Sequence, residues 1–457
     1  MTAPTTADVP TDRGPHRAAR LTLVLASLGF FLITLDILIV NVALTTIGRE
    51  LGGSTSGLQW VIDAYTLLFA SLLLFAGNLS ERMGAKRAIG WGIAGFLVAS
   101  VACALAPSLG ALIAARAVQG AAAAVMLPAS MALIRQAFPE ARERAHALGI
   151  WAVGGAVAGA VGPILGGALT TLDWRLVFAI NLPVCAVMLG MLVRVAPSPR
   201  RAARFDAAGQ VLALLALGGL VFGLIEGGAS GFGRWDVVVA LLVAAAAVVG
   251  FLLVQAHGRS PMMPLDLFRS GGMRIALGVG FAFMVGNFGS VFVLSLYLQQ
   301  HLGLSPLAAG LVFLPSAAFS IVGNIVSGTL VNRFGARVPV VAGLTTMAIG
   351  LVVMIVLAPY DSIAAVAVCT ILTGAGGSVA MPPATSVVLA SVPAERSGTA
   401  SAVFNTFRQV GGAVAIAVFG AFLADRSQFV VGTQTSFVVA AAVLVVAALA
   451  SMRIRTE

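Results

Sequence analysis

The chain has 457 residues, of which 59% are hydrophobic and 10% charged, and its mean hydropathy is +1.02. Soluble globular domains carry about 25% charged residues, so a chain this apolar uses lipid as part of its solvent. The formal net charge is +10, but the cations are scattered through short loops rather than gathered in one patch, which argues against a nucleic-acid surface.

The first twenty residues are a polar arm holding Arg13, Arg17 and Arg20. The apolar stretch that follows, 21–47, is longer than the roughly 7–15 residues of a signal-peptide core and reads as an uncleaved span. A spanning helix needs roughly 20 apolar residues. Further runs of that kind cover 60–80, 88–106, 109–137, 145–170, 176–194, 207–227, 236–256, 272–300, 305–331, 338–358, 362–391, 399–424 and 434–452. The fold class expected is an all-α membrane protein with 14 transmembrane helices. An even number of spans puts both termini on one side. That side collects 21 of the 27 Lys and Arg residues against four on the other, which marks it as cytoplasmic.

The segment Gly77-Asn-Leu-Ser-Glu81-Arg82-Met-Gly84-Ala-Lys86 returns as Gly328-Thr-Leu-Val-Asn332-Arg333-Phe-Gly335-Ala-Arg337, 251 residues later. The same offset carries the first span onto the ninth. The chain then divides into a cytoplasmic arm (1–20), a six-helix half (21–194), a linker with two inserted helices (195–271) and a second six-helix half (272–453). Parallel repeats of this kind place a substrate site between the halves near mid-membrane.

Charged residues inside spans are the candidates for chemistry. Asp36 lies fifteen residues into the first span, about 22 Å from its cytoplasmic end at 1.5 Å per residue. A charge at that depth costs about 2.5–3.5 kcal/mol on insertion scales, a cost that binding a proton removes. Asp36 therefore reads as a proton-coupling carboxylate, or else as a packing carboxylate bonded to a neighbour. Its repeat partner is Asn287, so only one half carries the titrating version. Asp63, one turn into the second span beside Trp60 and Tyr65, reads as a second proton or cation site, or as a solvated interfacial acid. Arg116 is the lone cation in the middle of the first half and needs acceptors; Asp36 or backbone carbonyls are the expected ones. Its alternative reading is a structural ion pair. Glu226, ending the seventh span, reads as a solvated interfacial acid.

Glu81, Arg82, Gly84, Lys86 and Arg87 put charges at cytoplasmic helix ends, where they suit the helix dipoles. They read as a latch between conformations, as positive-charge anchors, or as both. Gly155, Gly159, Gly162 and Gly166 recur at steps of four, three and four, which predicts one helix face for close packing. Pro163 sits among them and kinks the helix. Phe281, Met284, Phe288 and Phe292 recur at steps of three and four on the ninth span, and line an apolar cavity or face lipid or a neighbour.

Several motifs in order resemble the major facilitator superfamily, in its fourteen-span drug:proton antiporter branch. The first-helix motif is similar from Leu35-Asp36 through Asn41-Val-Ala-Leu44, with Thr45 where a proline is usual. The loop from Gly77 to Arg87, with Gly328 and Arg333 in its second copy, resembles the superfamily's latch. Arg116-x-x-Gln119-Gly120 resembles the fourth-helix motif tied to proton transfer. Gly155 through Gly159, Gly162, Pro163, Gly166 and Gly167 resembles the fifth-helix antiporter motif. Trp174-Arg175 to Asn181-Leu-Pro183 and Arg408-Gln409-Val-Gly411-Gly412 are also typical. The resemblance covers about residues 21–424. It implies a proton-coupled exporter of drugs, antibiotics or similar amphipathic molecules working by alternating access. Asp36, Asp63 and Arg116 would carry the proton, and Asp63, Trp60, Tyr65, Asn41, Gln119, Phe288 and Phe292 would meet the substrate. A dedicated exporter of one metabolite, lipid or self-made antibiotic is the alternative.

Nothing in the sequence supports an enzyme. Lys86 is the sole lysine and is followed by Arg87, so no Walker A motif exists. The four histidines are far apart, and Cys103, Cys185 and Cys369 lie in apolar runs, so neither a metal site nor a disulfide framework is indicated. No cofactor is expected. Energy must come from an ion gradient: about 2.3 kcal/mol per charge through 100 mV, plus about 1.4 kcal/mol per pH unit. The partners expected are a small-molecule substrate, protons and the bilayer, without nucleic acid, for a chain acting as a monomer in a bacterial cytoplasmic membrane.

Overall fold

The computed structural model describes residues 14–200, 206–258, 261–393 and 396–454. Residues 1–13 of the predicted arm, and 201–205 and 259–260 of the predicted linker, lie outside the described residues. Among the described residues, regular structure is helical throughout. Fourteen helices are long and apolar enough to cross a membrane. They are α1 (Ala18–Leu51), α2 (Thr55–Met83), α3 (Ala85–Ala104), α4 (Leu109–Ala137), α5 (His146–Leu172), α6 (Leu176–Val193), α7 (Ala207–Ser230), α8 (Trp235–His257), α9 (Gly271–His301), α10 (Pro306–Phe334), α11 (Arg337–Tyr360), α12 (Ile363–Ala390), α13 (Gly398–Phe422) and α14 (Phe429–Ser451).

The starts of α2 and α14 depart most from the apolar runs: Thr55, Ser56 and Gln59 stand in the first turns of α2, and in α14 Thr433 and Gln434 follow Phe429-Val430-Val431. Ser54 caps α2 by accepting from Gly57 N (3.2 Å). In α14, Thr433 donates back to the Phe429 carbonyl (3.0 Å), so its hydroxyl is satisfied within the helix.

The sequence repeat has a structural counterpart. Gly52 and Gly303, 251 residues apart, hold φ of 72° and 67° in the loops before α2 and α10. Gly84 and Gly335 hold φ of 85° and 71° after those helices. Left-handed backbone is cheap only for glycine. Ser54 and Ser305, at the same offset, cap α2 and α10 through Gly57 N and Ala308 N, each at 3.2 Å. Packing follows suit: α1 lies on α5, α2 on α4, and α3 on α4 and α6, while α9 lies on α13, α10 on α12, and α11 on α12 and α14.

The two helix sets meet along α2–α13, α5–α10 and α1–α9. The closest approaches lie at the end away from the termini. A Cβ on Gly310 would sit 2.3 Å from the Pro163 carbonyl oxygen, and one on Gly167 would sit 2.6 Å from that of Pro306. Gln59 donates to the Ile416 and Ala417 carbonyls (3.1 Å each), and Gln299 to that of Val42 (3.0 Å). Toward the termini contact between the sets is sparser, although Arg135 at the end of α4 reaches the start of α13, where a Cβ on Gly398 would sit 2.9 Å from its Nη1. Along 321–329 of α10, only Gly323 and Ser327 are buried. Those two residues lie on α12, with Ser327 donating to the Val379 carbonyl (2.8 Å), and the rest of the circumference of α10 is exposed on the side of the termini.

α7 covers the α2–α13 seam. Val221 and Ile225 pack with Leu67, Ala413 and Ala417, and Gln210 donates to the Ser71 carbonyl (2.9 Å). Glu226, expected to be solvated, instead accepts from Trp60 Nε1 (3.2 Å).

The glycine face of α5 differs from its predicted form. Added Cβ atoms at Gly155, Gly162 and Gly166 would press on Phe30, Leu38 and Ile39 of α1. Gly159 faces open space, and Gly154 supplies the missing contact, 2.7 Å from the Ser27 carbonyl oxygen. Gly167 turns to α10 instead. The predicted aromatic stripe on α9 is also interrupted. π-helical turns at Val285–Gly289 and Tyr297–His301 shift its register. Phe292 is fully buried in the core, while Met284 and Phe288 pack with Leu38, Tyr65 and Phe69 of the other helix set.

These contacts predict a contrast between two glycines. A Cβ at Gly120 would sit 2.2 Å from the Tyr65 carbonyl oxygen, and at Gly159 none lies within 4 Å. Gly120→Ala is expected to destabilise the protein by about 1–3 kcal/mol, lowering its melting temperature in detergent by several degrees. Gly159→Ala should not lower that melting temperature and should raise it slightly, since Ala costs a helix less than Gly by up to about 1 kcal/mol.

Candidate functional site

Five helices converge on one buried polar cluster. Asp36 on α1 and Arg116 on α4 are both fully buried, and they form an ion pair through Arg116 Nη1 and Asp36 Oδ2. Gly120, one turn along α4, lets that helix lie directly on the α2 backbone. That approach brings Arg116 Nε to the Val61 carbonyl (3.0 Å) and its guanidinium over the Tyr65 ring, 4.3 Å from the centroid. Arg116 Nη1 also donates to Gln119 Oε1 (2.7 Å).

The carboxylate is held from further sides. Its Oδ1 accepts from Gln119 Nε2 and from Asn181 Nδ2 of α6, both at 2.9 Å. Ser100 of α3 accepts from Gln119 (2.9 Å) and Asn181 (3.2 Å), tying the two amides together. The pair is neutral overall, and its polar atoms are almost all bonded, which is how two charges persist in a membrane interior. Adding a proton to Asp36 would remove the charge that Arg116 faces.

Sequence reasoning did not select Ser100 or Asn181 as site residues. Asn181 stood only within a motif, and Ser100 is one small polar residue among many; convergence of α3, α4 and α6 gives them their place.

Asp63 lies outside this cluster. It is fully buried, its Oδ1 accepts from Thr66 Oγ1 (3.2 Å), and its Oδ2 has no partner. The predicted substrate residues do not form one surface. Gln119 and Tyr65 belong to the Asp36 cluster. Trp60 turns to Glu226 on α7. Asn41 donates to its own helix at Ile37 (2.8 Å), leaving its Oδ1 without a partner. Phe288 packs near Gly412, and Phe292 is sealed in the core.

The latch residues are also dispersed. Lys86 Nζ donates to the Val193 and Val195 carbonyls at the end of α6, where a cation suits the helix dipole. Its backbone N donates to Ser198 Oγ (3.0 Å). Glu81, Arg82 and Arg87 are exposed. Gly77 and Gly328 have open space around them. Arg333 lies over the ring of its neighbour Phe334, at 5.2 Å.

Among the described residues, the second helix set has no counterpart of the ion pair. Asn287 is partly buried within the first π turn. Arg408, on α13, donates to Asn405 Oδ1 (3.1 Å).

With this geometry established, comparison with known proteins is direct. The family model for the Major Facilitator Superfamily matches residues 26–416 and, separately, 276–457. Multidrug resistance protein Stp of Mycobacterium tuberculosis is 38% identical over 413 residues, covering 90% of this chain and 76% of the relative. The methylenomycin A resistance protein of Streptomyces coelicolor is 36% identical over 434 residues, covering 94% of this chain and 91% of the relative. Among solved structures, a bacterial homolog of the human lysosomal transporter Spinster, inward-facing and unoccupied, has a TM-score of 0.67. It is 18% identical, and the match covers 95% of this chain and 96% of that one.

The ion pair predicts unequal costs. Arg116→Leu strands a buried carboxylate and is expected to destabilise the protein by about 3–5 kcal/mol. Ser100→Ala removes one acceptor and should cost about 1–3 kcal/mol. The double variant Asp36→Leu with Arg116→Leu should recover part of the first loss. Unfolding of the purified variants in detergent checks the order.

Proposed function

The chain belongs to the major facilitator superfamily, and from that premise we propose that it exports drugs, antibiotics or similar amphipathic small molecules in exchange for protons. It is a multi-pass bacterial membrane protein and a transporter rather than an enzyme. The observation that carries the coupling is the fully buried Asp36–Arg116 pair on α1 and α4. A carboxylate that must remain inside the membrane, facing a permanent cation, changes its bonding whenever a proton arrives.

With both termini in the cytoplasm, the exposed inner stretch of α10 fits an inward-open molecule. The α5–α10 and α2–α13 contacts close its outer end. Cargo enters between the two six-helix sets from the cytoplasm. The sets then rock about these seams and expose the cavity outward, where a proton is taken up. Protonated Asp36 releases Arg116, and deprotonation inside restores the pair. Asp63, buried with one oxygen free, supplies a second acidic position for a proton or a cationic cargo. The loop from Gly77 to Arg87 joins its charges across the cytoplasmic face only when that face closes, which fits its dispersed state here. A narrower reading, one dedicated antibiotic as cargo, draws support from the relative named for methylenomycin A.

Ethidium efflux from energised cells tests the coupling. Native protein is expected to pump, a protonophore to stop it, and Asp36→Asn to be inactive although inserted. Normal pumping by Asp36→Asn would remove Asp36 from the coupling role and leave Asp63 as the candidate. Resistance to a single compound, without ethidium efflux, would select the narrower cargo.

A further inference from the structure

Of the cations within the predicted spans, Arg116 and Arg408 stand furthest from the span ends, and the surroundings of Arg408 are the reverse of those of Arg116. It stands ten residues past Gly398 on α13, about 15 Å along the axis at 1.5 Å per residue. That is half of a hydrocarbon layer roughly 30 Å thick, too deep for a lipid headgroup. A cation there is costly and normally finds an anion. Among the described residues, the ion pairs of the protein leave Arg408 out. Its Nη1 has only a neutral acceptor, Asn405 Oδ1 (3.1 Å), and its Nε is buried without a partner.

The stem of the side chain is fitted to its place. A Cβ on Gly280 would sit 2.9 Å from Arg408 Cγ, so the side chain rests on α9 where a glycine leaves room. The guanidinium lies 5.7 Å from the Phe283 ring centroid and 5.9 Å from that of Phe404. Unlike fully buried Arg116, Arg408 retains partial exposure. Internal acids do not answer it: Asp36 is already held by three side chains, and Asp63 is fully buried beside Thr66.

We propose that Arg408 is a cargo subsite for a single acidic group, a carboxylate or comparable oxygen anion, borne on an aromatic or otherwise apolar body. The proposal rests on the export reading above and adds the chemical class of the cargo. A planar fork of N–H donors matches a carboxylate in two bonds. One arginine balances one negative charge, which disfavours a phosphate dianion. Phe283 and Phe404 offer apolar contact to the rest of the molecule.

Thermal-shift titration of the purified full-length protein, with 1-naphthoate and its uncharged amide 1-naphthamide as probes, tests this. Losing a hydrogen bond to a charged group costs about 1.5–3 kcal/mol, so native protein should bind naphthoate at least about tenfold tighter than naphthamide. Arg408→Gln should erase that preference while leaving naphthamide affinity unchanged, and Arg408→Lys should keep part of it. Equal affinity of the two probes for native protein, no naphthoate binding at all, or a preference surviving in Arg408→Gln would each overturn the subsite. Should Arg408→Gln fail to fold, the native comparison and Arg408→Lys still decide. The ethidium assay judges coupling separately, so failed ethidium efflux with an intact naphthoate preference would remove the multidrug reading and spare the subsite.

Discussion

A charge pair inside a membrane is tolerable only when nearly every lone pair and proton finds a partner, and that demand organises the first six helices. Asp36 and Arg116 cannot be satisfied by α1 and α4 alone. Val61 on α2 supplies a carbonyl, Gln119 bridges both partners, and Asn181 on α6 reaches the carboxylate over Ser100 on α3. Each bond fixes the spacing of another helix. Glycine makes the geometry possible, since α4 could not reach the α2 backbone with any side chain at 120. The site and the packing are therefore one constraint: the residues that hold the buried carboxylate are those that hold the helices.

The second helix set shows what the repeat looks like without that constraint. Turn glycines and capping serines recur at the 251-residue offset, so the scaffold is duplicated. The charges are not. Where α1 is a continuous α-helix carrying Asp36, α9 carries Asn287 within a π turn. Its central cation is on α13 rather than α12, and it faces phenylalanines rather than a carboxylate. The two halves have thus specialised: a self-satisfied ionic cluster in one, an unanswered cation in the other.

Much of the scaffold was legible because membrane spans announce themselves by length and hydropathy, and because left-handed turns require glycine. Fourteen helices, the duplicated loop and the pairing of Arg116 with Asp36 all follow from such one-dimensional signals. What could not be read depends on which faces meet. Ser100 and Asn181 look like ordinary helix residues until α3 and α6 are brought beside α4. Gly159 fits the glycine spacing, yet Gly154 makes the contact, because the approach of α1 follows its own side chains. The π turns of α9 leave no mark in composition, and they broke the aromatic stripe. Gln59 looked like a polar residue outside its span, but its partners are carbonyls 357 and 358 positions away in α13.

The inserted helices illustrate how bond type limits motion. α7 touches both helix sets, so rocking about the α2–α13 seam must strain one of its contacts. Toward α2 it is fastened by directional bonds, from Gln210 to the Ser71 carbonyl and from Trp60 to Glu226. Toward α13 it meets Ala413 and Ala417 through Val221 and Ile225. Small apolar surfaces can slide with little loss, since lipid tails and alanine methyls are equivalent surroundings for a valine, whereas a broken hydrogen bond in hydrocarbon finds no water to replace it. On the alternating access proposed above, that difference would carry α7 with α2 and leave the apolar α13 contact, where Gly228 lies against Ala421, as the one to rearrange. The α5–α10 seam, which α7 does not cover, closes its outer end through close backbone contacts at Gly167 and Gly310 and through apolar side chains such as Leu165, Leu169 and Phe313.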